Sequence, residues 1–151
     1  MITIAEVKAD QQRLAEKIAA LEVQESRRYI DLPRQSLILD AGEHYAGIVM
    51  RDDGRPDYHL ILVEGEAEHV TLDGAKEWAR EAGGELPNRR EQALLYANLK
   101  DQFAKAWYWS GEQHAAGPDC AWAQYFGNGD QHLSHKGNEL RARAVRRLII
   151  E

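Results

Sequence analysis

Seven side chains able to make directional contacts crowd into one stretch near the C-terminal end: Tyr125, Asn128, Asp130, Gln131, His132, Ser134 and His135. Amides, a carboxylate, a hydroxyl and imidazoles at loop and hairpin positions supply hydrogen bonds, and Tyr supplies rigid contact area. That mixture is how binding loops are built on a firm scaffold. These seven residues are the expected ligand-binding face; the competing reading is a solvated hairpin. His132 and His135 lie three apart, which suits metal ligation from a helix or loop. In a strand they face opposite sides, and no carboxylate stands beside them in a ligand pattern. No metal and no cofactor is expected.

Catalytic signatures are scarce. The single cysteine, Cys120, forbids an intrachain disulfide and zinc sites built on several thiolates. A lone cysteine reads first as a small buried hydrophobe. No nucleophile elbow, phosphate-binding loop or dinucleotide fingerprint occurs. The expectation is a protein that is not an enzyme and has no catalytic residues.

Charge narrows the partners. Lys+Arg number 19 and Asp+Glu 25, for a net charge of −6. An acidic chain is a poor general binder of nucleic acid or of an anionic membrane surface, and no apolar run is long enough to span a bilayer. Arg141, Arg143, Arg146 and Arg147 form a local basic run. Arginine suits bidentate pairing, so some of these are expected to pair with Glu91, Glu112 or Glu139 and pin the last strand.

The elements that must position these groups follow from patterning. Thr3 and Glu6 have capping-box spacing, and Ile4, Val7, Gln11, Leu14, Ile18 and Leu21 form an a/d seam of about three heptads. Lys17 at g and Glu22 at the following e′ are compatible in parallel helices. Short helices are marginal alone, so this stripe must be buried somewhere. Self-association as a homo-oligomer, with a trimer favoured, is expected; the competing reading is docking on the chain's own globular domain. The charged, amphipathic N-terminus does not read as a signal peptide.

Leu37-Ile38-Leu39 reads as a short strand after a linker. Tyr45–Met50 and Tyr58–Val63 read as a hairpin turning at Asp53-Gly54. Thr71 or Asp73 caps a helix to about Ala82, and Asn88 with Glu91 caps a second. Four β-rich runs follow: Trp107–Ser110, Ala121–Phe126, Gln131–His135 and Arg141–Ile150, with Asn128-Gly129 as a type I′ turn. Trp107, Trp109 and Trp122 are expected in the core. Tyr108 and Tyr125, turned the other way by the strand period, are the better candidates for exposure. Helices and strands that do not alternate strictly indicate an α+β fold.

Four segments carry a resemblance. They are Leu86-Pro87-Asn88-Arg89, Trp107-Tyr108-Trp109-Ser110-Gly111, Ala121-Trp122 with Gly127-Asn128-Gly129, and Arg143-Ala144-Val145-Arg146. In this order they resemble the lectin-like domain family of bacterial and phage proteins typified by the C-terminal domain of Lcl-type adhesins. The departures are Asn88 where Thr is usual and Gly111 where a second Ser is usual. The resemblance implies a C-type-lectin-like domain over residues 45–151; ahead of it, patterning sets a linker with a short strand at 29–44 and an oligomerising coiled-coil-type helix at 1–28. It further implies non-enzymatic ligand binding by a phage or prophage protein, tail- or fibre-associated, with a host protein or surface glycan as partner. The competing class is an intracellular phage accessory or inhibitor protein that binds a host protein. The corresponding location is the cytoplasm of the producing bacterium, or the virion.

Overall fold

A computed structural model describes residues 1–32 and 34–151. The chain forms two compact units, the first being Met1–Leu32. It consists of helix α1 (Ile4–Ser26) and its flanks. The Thr3 hydroxyl accepts the Glu6 N–H and the Glu6 carboxylate accepts the Thr3 N–H, so two free N-terminal donors are satisfied reciprocally. Every residue of α1 is exposed, and each apolar member of its seam is at least 46% exposed.

The second unit is α+β. In chain order it contains β1 (His44–Met50), β2 (Pro56–Leu62), β3 (Ala67–Val70), α2 (Leu72–Glu81), α3 (Arg89–Leu99), β4 (Trp107–His114), β5 (Gly117–Tyr125), β6 (Gln131–His135), β7 (Leu140–Ala142) and β8 (Val145–Ile149). One sheet has three strands in the order β1-β2-β8. The other has five, in the order β3-β7-β4-β5-β6. The larger sheet is mixed, because β4 and β7 run parallel while its other pairs are antiparallel. Among the described residues no helix is long and apolar enough to cross a membrane.

Strand periodicity distributes β4 and β5 between two cores. Trp109, Ala121 and Ala123 pack with Leu72, Ala75 and Ala79 of α2. Tyr108 packs with Leu95 of α3, Phe103, Phe126, and Leu60 and Val145 of the smaller sheet. Both faces of the larger sheet are therefore covered here. That corrects the expectation for Tyr108, which is 1% exposed: alternation sends it away from Trp109, but into a second core instead of solvent.

Three further expectations change. The run Arg141–Ile150 is not one strand. It splits into β7 and β8, which belong to different sheets, with the buried Arg143 guanidinium donating to the Val63 and Gln102 carbonyls at the crossing. Leu37-Ile38-Leu39 forms no strand. This segment is a strap fastened from β8, where Arg146 donates to the Ile38 carbonyl (3.2 Å) and twice to Glu43 (2.7 and 2.8 Å). Asn128-Gly129 is not a type I′ turn, which needs positive φ at both residues; only Gly129 has it (φ 85°). The loop between β5 and β6 is five residues long, closed by Gly129 N–H to Tyr125 O and Tyr125 N–H to Asp130 O, each 2.8 Å.

Helix α3 is anchored at its start. Asn88 and Glu91 make the reciprocal capping box. The fully buried Glu91 also accepts two bonds from Arg147 (2.7 and 2.8 Å) and one from the Tyr58 hydroxyl (2.8 Å). Burial acts to raise this carboxyl. The bonds from Arg147, the Asn88 N–H and Tyr58 outweigh it and hold Glu91 below the ordinary carboxylate value.

Candidate functional site

Beyond the part of the larger sheet covered by α2, the face that carries Trp109 continues as an open cleft. Register sets Trp107 opposite Tyr125 and Ala123 opposite His132. The Trp107 and Tyr125 rings stack at 5.5 Å with 24° between planes, and the His132 ring meets Trp107 edge-on at 5.7 Å. Gly127 makes room for Tyr125: a Cβ there would lie 2.6–2.8 Å from its ring. The ring is thus held between Trp107 and a bare stretch of backbone.

This aromatic pair helps line a cleft of about 410 Å³, whose other walls include Glu68, His69, Lys105, Glu139 and Arg141. A smaller hollow of about 140 Å³ adjoins it through Trp107 and Leu140 and reaches His132 and Ser134.

The far wall comes from β3, which sequence patterning missed. Its polar alternation is short, and its pairing with β7 is interrupted by an irregularity between Ala67 and Val70. His69 within it has φ 54°, the only non-glycine residue with positive φ among those described. A non-glycine residue held in this region stores backbone strain, which concentrates at ligand clamps and binding sites; bulges likewise re-aim side chains near such sites.

Charge in the cleft is ordered by one arginine. Arg141 binds Glu66 at 2.6 Å and Glu68 at 2.8 Å. The Tyr108 hydroxyl also donates to Glu66 and accepts the Ala104 N–H at 2.9 Å. Burial and the bond to Glu66 push the Tyr108 phenol up to about 12. A chain of bonds therefore runs from the cleft wall into the second core.

The seven expected ligand residues fall into three groups. Tyr125, His132 and Ser134 stand at the cleft and hollow. Asn128 and Asp130 sit exposed at the loop and bond to each other, side chain to side chain at 3.0 Å and Asp130 N–H to Asn128 Oδ1 at 2.9 Å. Gln131 and His135 occupy the opposite face, where Gln131 bonds Gln124 and Arg89. Gln131 is thus turned away from the cleft by the strand period. His135 accepts the Gly137 N–H at 3.0 Å. Trp107, His69, Glu68 and Arg141 are the site residues that patterning did not single out for binding. Trp107 is expected in the core, and the others depend on the unforeseen β3.

Trp122 likewise differs from expectation. It is only half-buried, because no helix among the described residues covers its face there: the Arg89 guanidinium lies 3.5 Å above the ring and the His114 ring meets it edge-on at 6.2 Å. Among the described residues no group of three or more His, Cys, Asp or Glu is placed to hold a metal ion. No protein-family model matches the chain, and no curated protein matches its sequence.

Proposed function

We infer that this protein is a non-enzymatic recognition protein whose ligand enters the Trp107–Tyr125 cleft. The observation that carries this reading is the stacked pair of half-buried rings lining an open cleft on the larger sheet. Stacked aromatic edges and faces offer rigid apolar area at little entropic cost, and flanking His132, Ser134, Glu139 and Lys105 give direction to hydrogen bonds. Such a mixture of apolar lining and few convergent polar groups is the usual make-up of a binding site.

The resemblance carried by four ordered motifs supports the finer reading: a C-type-lectin-like domain in a phage or prophage protein that recognises a host protein or surface glycan. The exposed seam of α1 supports a parallel coiled coil that would present several clefts together, raising avidity without new contacts. The test is parallel capture from host envelope and from host lysate with the wild type, Trp107→Ala and His132→Ala. Loss of the captured ligand by both variants, with melting unchanged, supports the cleft. Full capture by both folded variants would move recognition elsewhere, to the early hairpin around Asp52–Asp57. Capture from envelope favours the virion role; capture from lysate alone favours an intracellular accessory role.

A further inference from the structure

The outer edge of β6 is a regular, unbulged strand edge without a charged residue, and we propose that it pairs with β6 of a second copy of the chain. Hydrogen bonds at both ends of the β5–β6 ladder fix which groups face outward. Tyr125 N–H bonds Asp130 O at 2.8 Å and Lys136 N–H bonds Asp119 O at 2.9 Å. The antiparallel alternation between them turns the His132 and Ser134 amides toward β5 and those of Gln131, Leu133 and His135 outward. The backbone N–H and C=O of Gln131 and Leu133 have no partner among the described residues.

Unpaired edges invite a further strand, and proteins blunt them with bulges, charges or covering groups. The other edges here are blunted. β1 carries two irregularities, and its Ala46 carbonyl is taken by Asn98 at 2.6 Å. β3 carries the irregularity at His69 and the ion-paired Glu68. β8 is covered at Val145 by two bonds with Glu85, 2.8 and 2.9 Å. β6 has a continuous register, no proline, no Lys or Glu within it, and Leu133 at 40% exposure.

The occupant follows from the order of its residues. An antiparallel second copy with Leu133 against its own counterpart sets His132 against Ser134 and Gln131 against His135, each twice. It also sets Asp130 against Lys136 twice, since these lie one residue outside the two ends of the strand. Neither side chain enters an ion pair within its own chain among the described residues. The edge is therefore complementary to itself in apolar contact and in charge, as a two-fold interface requires. Such pairing joins the two larger sheets into one and brings the two hollows bordered by His132 and Ser134 to the same seam. This inference is independent of the cleft reading.

The experiment uses the full chain with the α1 seam disabled by Leu14→Asp and Ile18→Asp, so that only the edge can assemble it. Sedimentation then follows mass against concentration. The expected result is a reversible dimer. Leu133→Pro, which removes an outward N–H and leaves the inner ladder its bonds, yields monomer. Lys136→Glu weakens the dimer roughly tenfold, and adding Asp130→Lys to it restores affinity, because the pair is then reversed on both copies. A monomer at every concentration into the millimolar range overturns the proposal. So does a dimer whose strength ignores both Lys136→Glu and the charge swap, whatever the fate of the proline variant.

Discussion

Arg89 and Gln131 hold each other by a reciprocal pair of bonds. Arg89 Nε donates to Gln131 Oε1 at 2.9 Å, and Gln131 Nε2 donates to the Arg89 carbonyl at 2.8 Å. Gln131 also donates to Gln124 Oε1 at 2.8 Å, and Gln124 in turn to the Gln92 carbonyl at 2.7 Å. The first residue of β6 is thereby tied to the first turn of α3. Gln131→Ala should lower stability by about 1–3 kcal/mol, since it strands half-buried polar groups. Denaturant unfolding checks this, and capture by the cleft should survive the change.

Trp109 and Trp122 should behave differently. Trp109 is fully buried and donates its Nε1–H to the Val70 carbonyl at 2.9 Å, so Trp109→Ala should cost about 3–5 kcal/mol. Trp122 is half-buried beneath Arg89, so Trp122→Ala should cost less than half as much. Paired thermal melts decide it, and equal losses would count against the packing described.

Stability should fall in acid through Glu91. Its folded value lies below the ordinary 4.5, so its contribution is complete above the unfolded value and is lost as pH falls through the lower folded one. Glu91→Gln should flatten this acid limb, and removing the partner altogether with Glu91→Ala should cost about 3–5 kcal/mol at neutral pH. Unfolding free energy measured between pH 2 and 7 provides the comparison.

A mirror-image loss should occur in alkali. Burial and the bond to Glu91 raise Tyr58 to about 12, and Tyr108 is raised as far. Their neutral forms stabilise the fold fully below the unfolded value of 10.0, and this is lost as pH rises through about 12. Tyr58→Phe should shorten that loss, as followed by phenolate absorbance during an alkaline titration.

Gly127→Ala should disturb recognition more than folding. The new methyl group would displace the Tyr125 ring from Trp107. Ligand capture should weaken severalfold while the melting midpoint shifts little. Tryptophan fluorescence should report the lost stack.

The α1 seam should set subunit number. Leu14→Asp with Ile18→Asp places charge in the middle of the stripe, and light scattering should show fewer subunits than in the wild type. Equal masses would remove the coiled coil from the proposed function.

Local chemistry was the legible part of the sequence. Both capping boxes, the span of β6 and the pairing of one C-terminal arginine with Glu91 follow from spacing and type, whereas Arg141 and Arg146 pair with Glu66, Glu68 and Glu43, not with Glu112 or Glu139. What depended on long-range layering was not legible. Tyr108 obeys its strand period, but whether a second core waits on that face depends on α3 and on Val145, far along the chain. The cleft needed β3, a strand of four residues with an irregular pairing, and too little of its length alternates to stand out. Gln131 sat in a polar cluster that read as one face, and only strand register separates it from His132.

The clasp between Arg146 and the strap around Glu43 bears on how the protein is made. Residues joined by β2–β8 pairing and by this clasp lie about as far apart along the chain as the second unit permits. During synthesis, β1 and β2 leave the ribosome as a bare hairpin, and the core beside Leu60 stays open until Val145–Ile149 has emerged. The N-terminal helix needs no such closure. Its capping box lies within the first residues of the chain, so it can form while the rest is still being translated. In the proposed coiled-coil assembly, the choice of subunits would thus precede folding of the second unit, and polysomes carrying several nascent copies would be its natural sites.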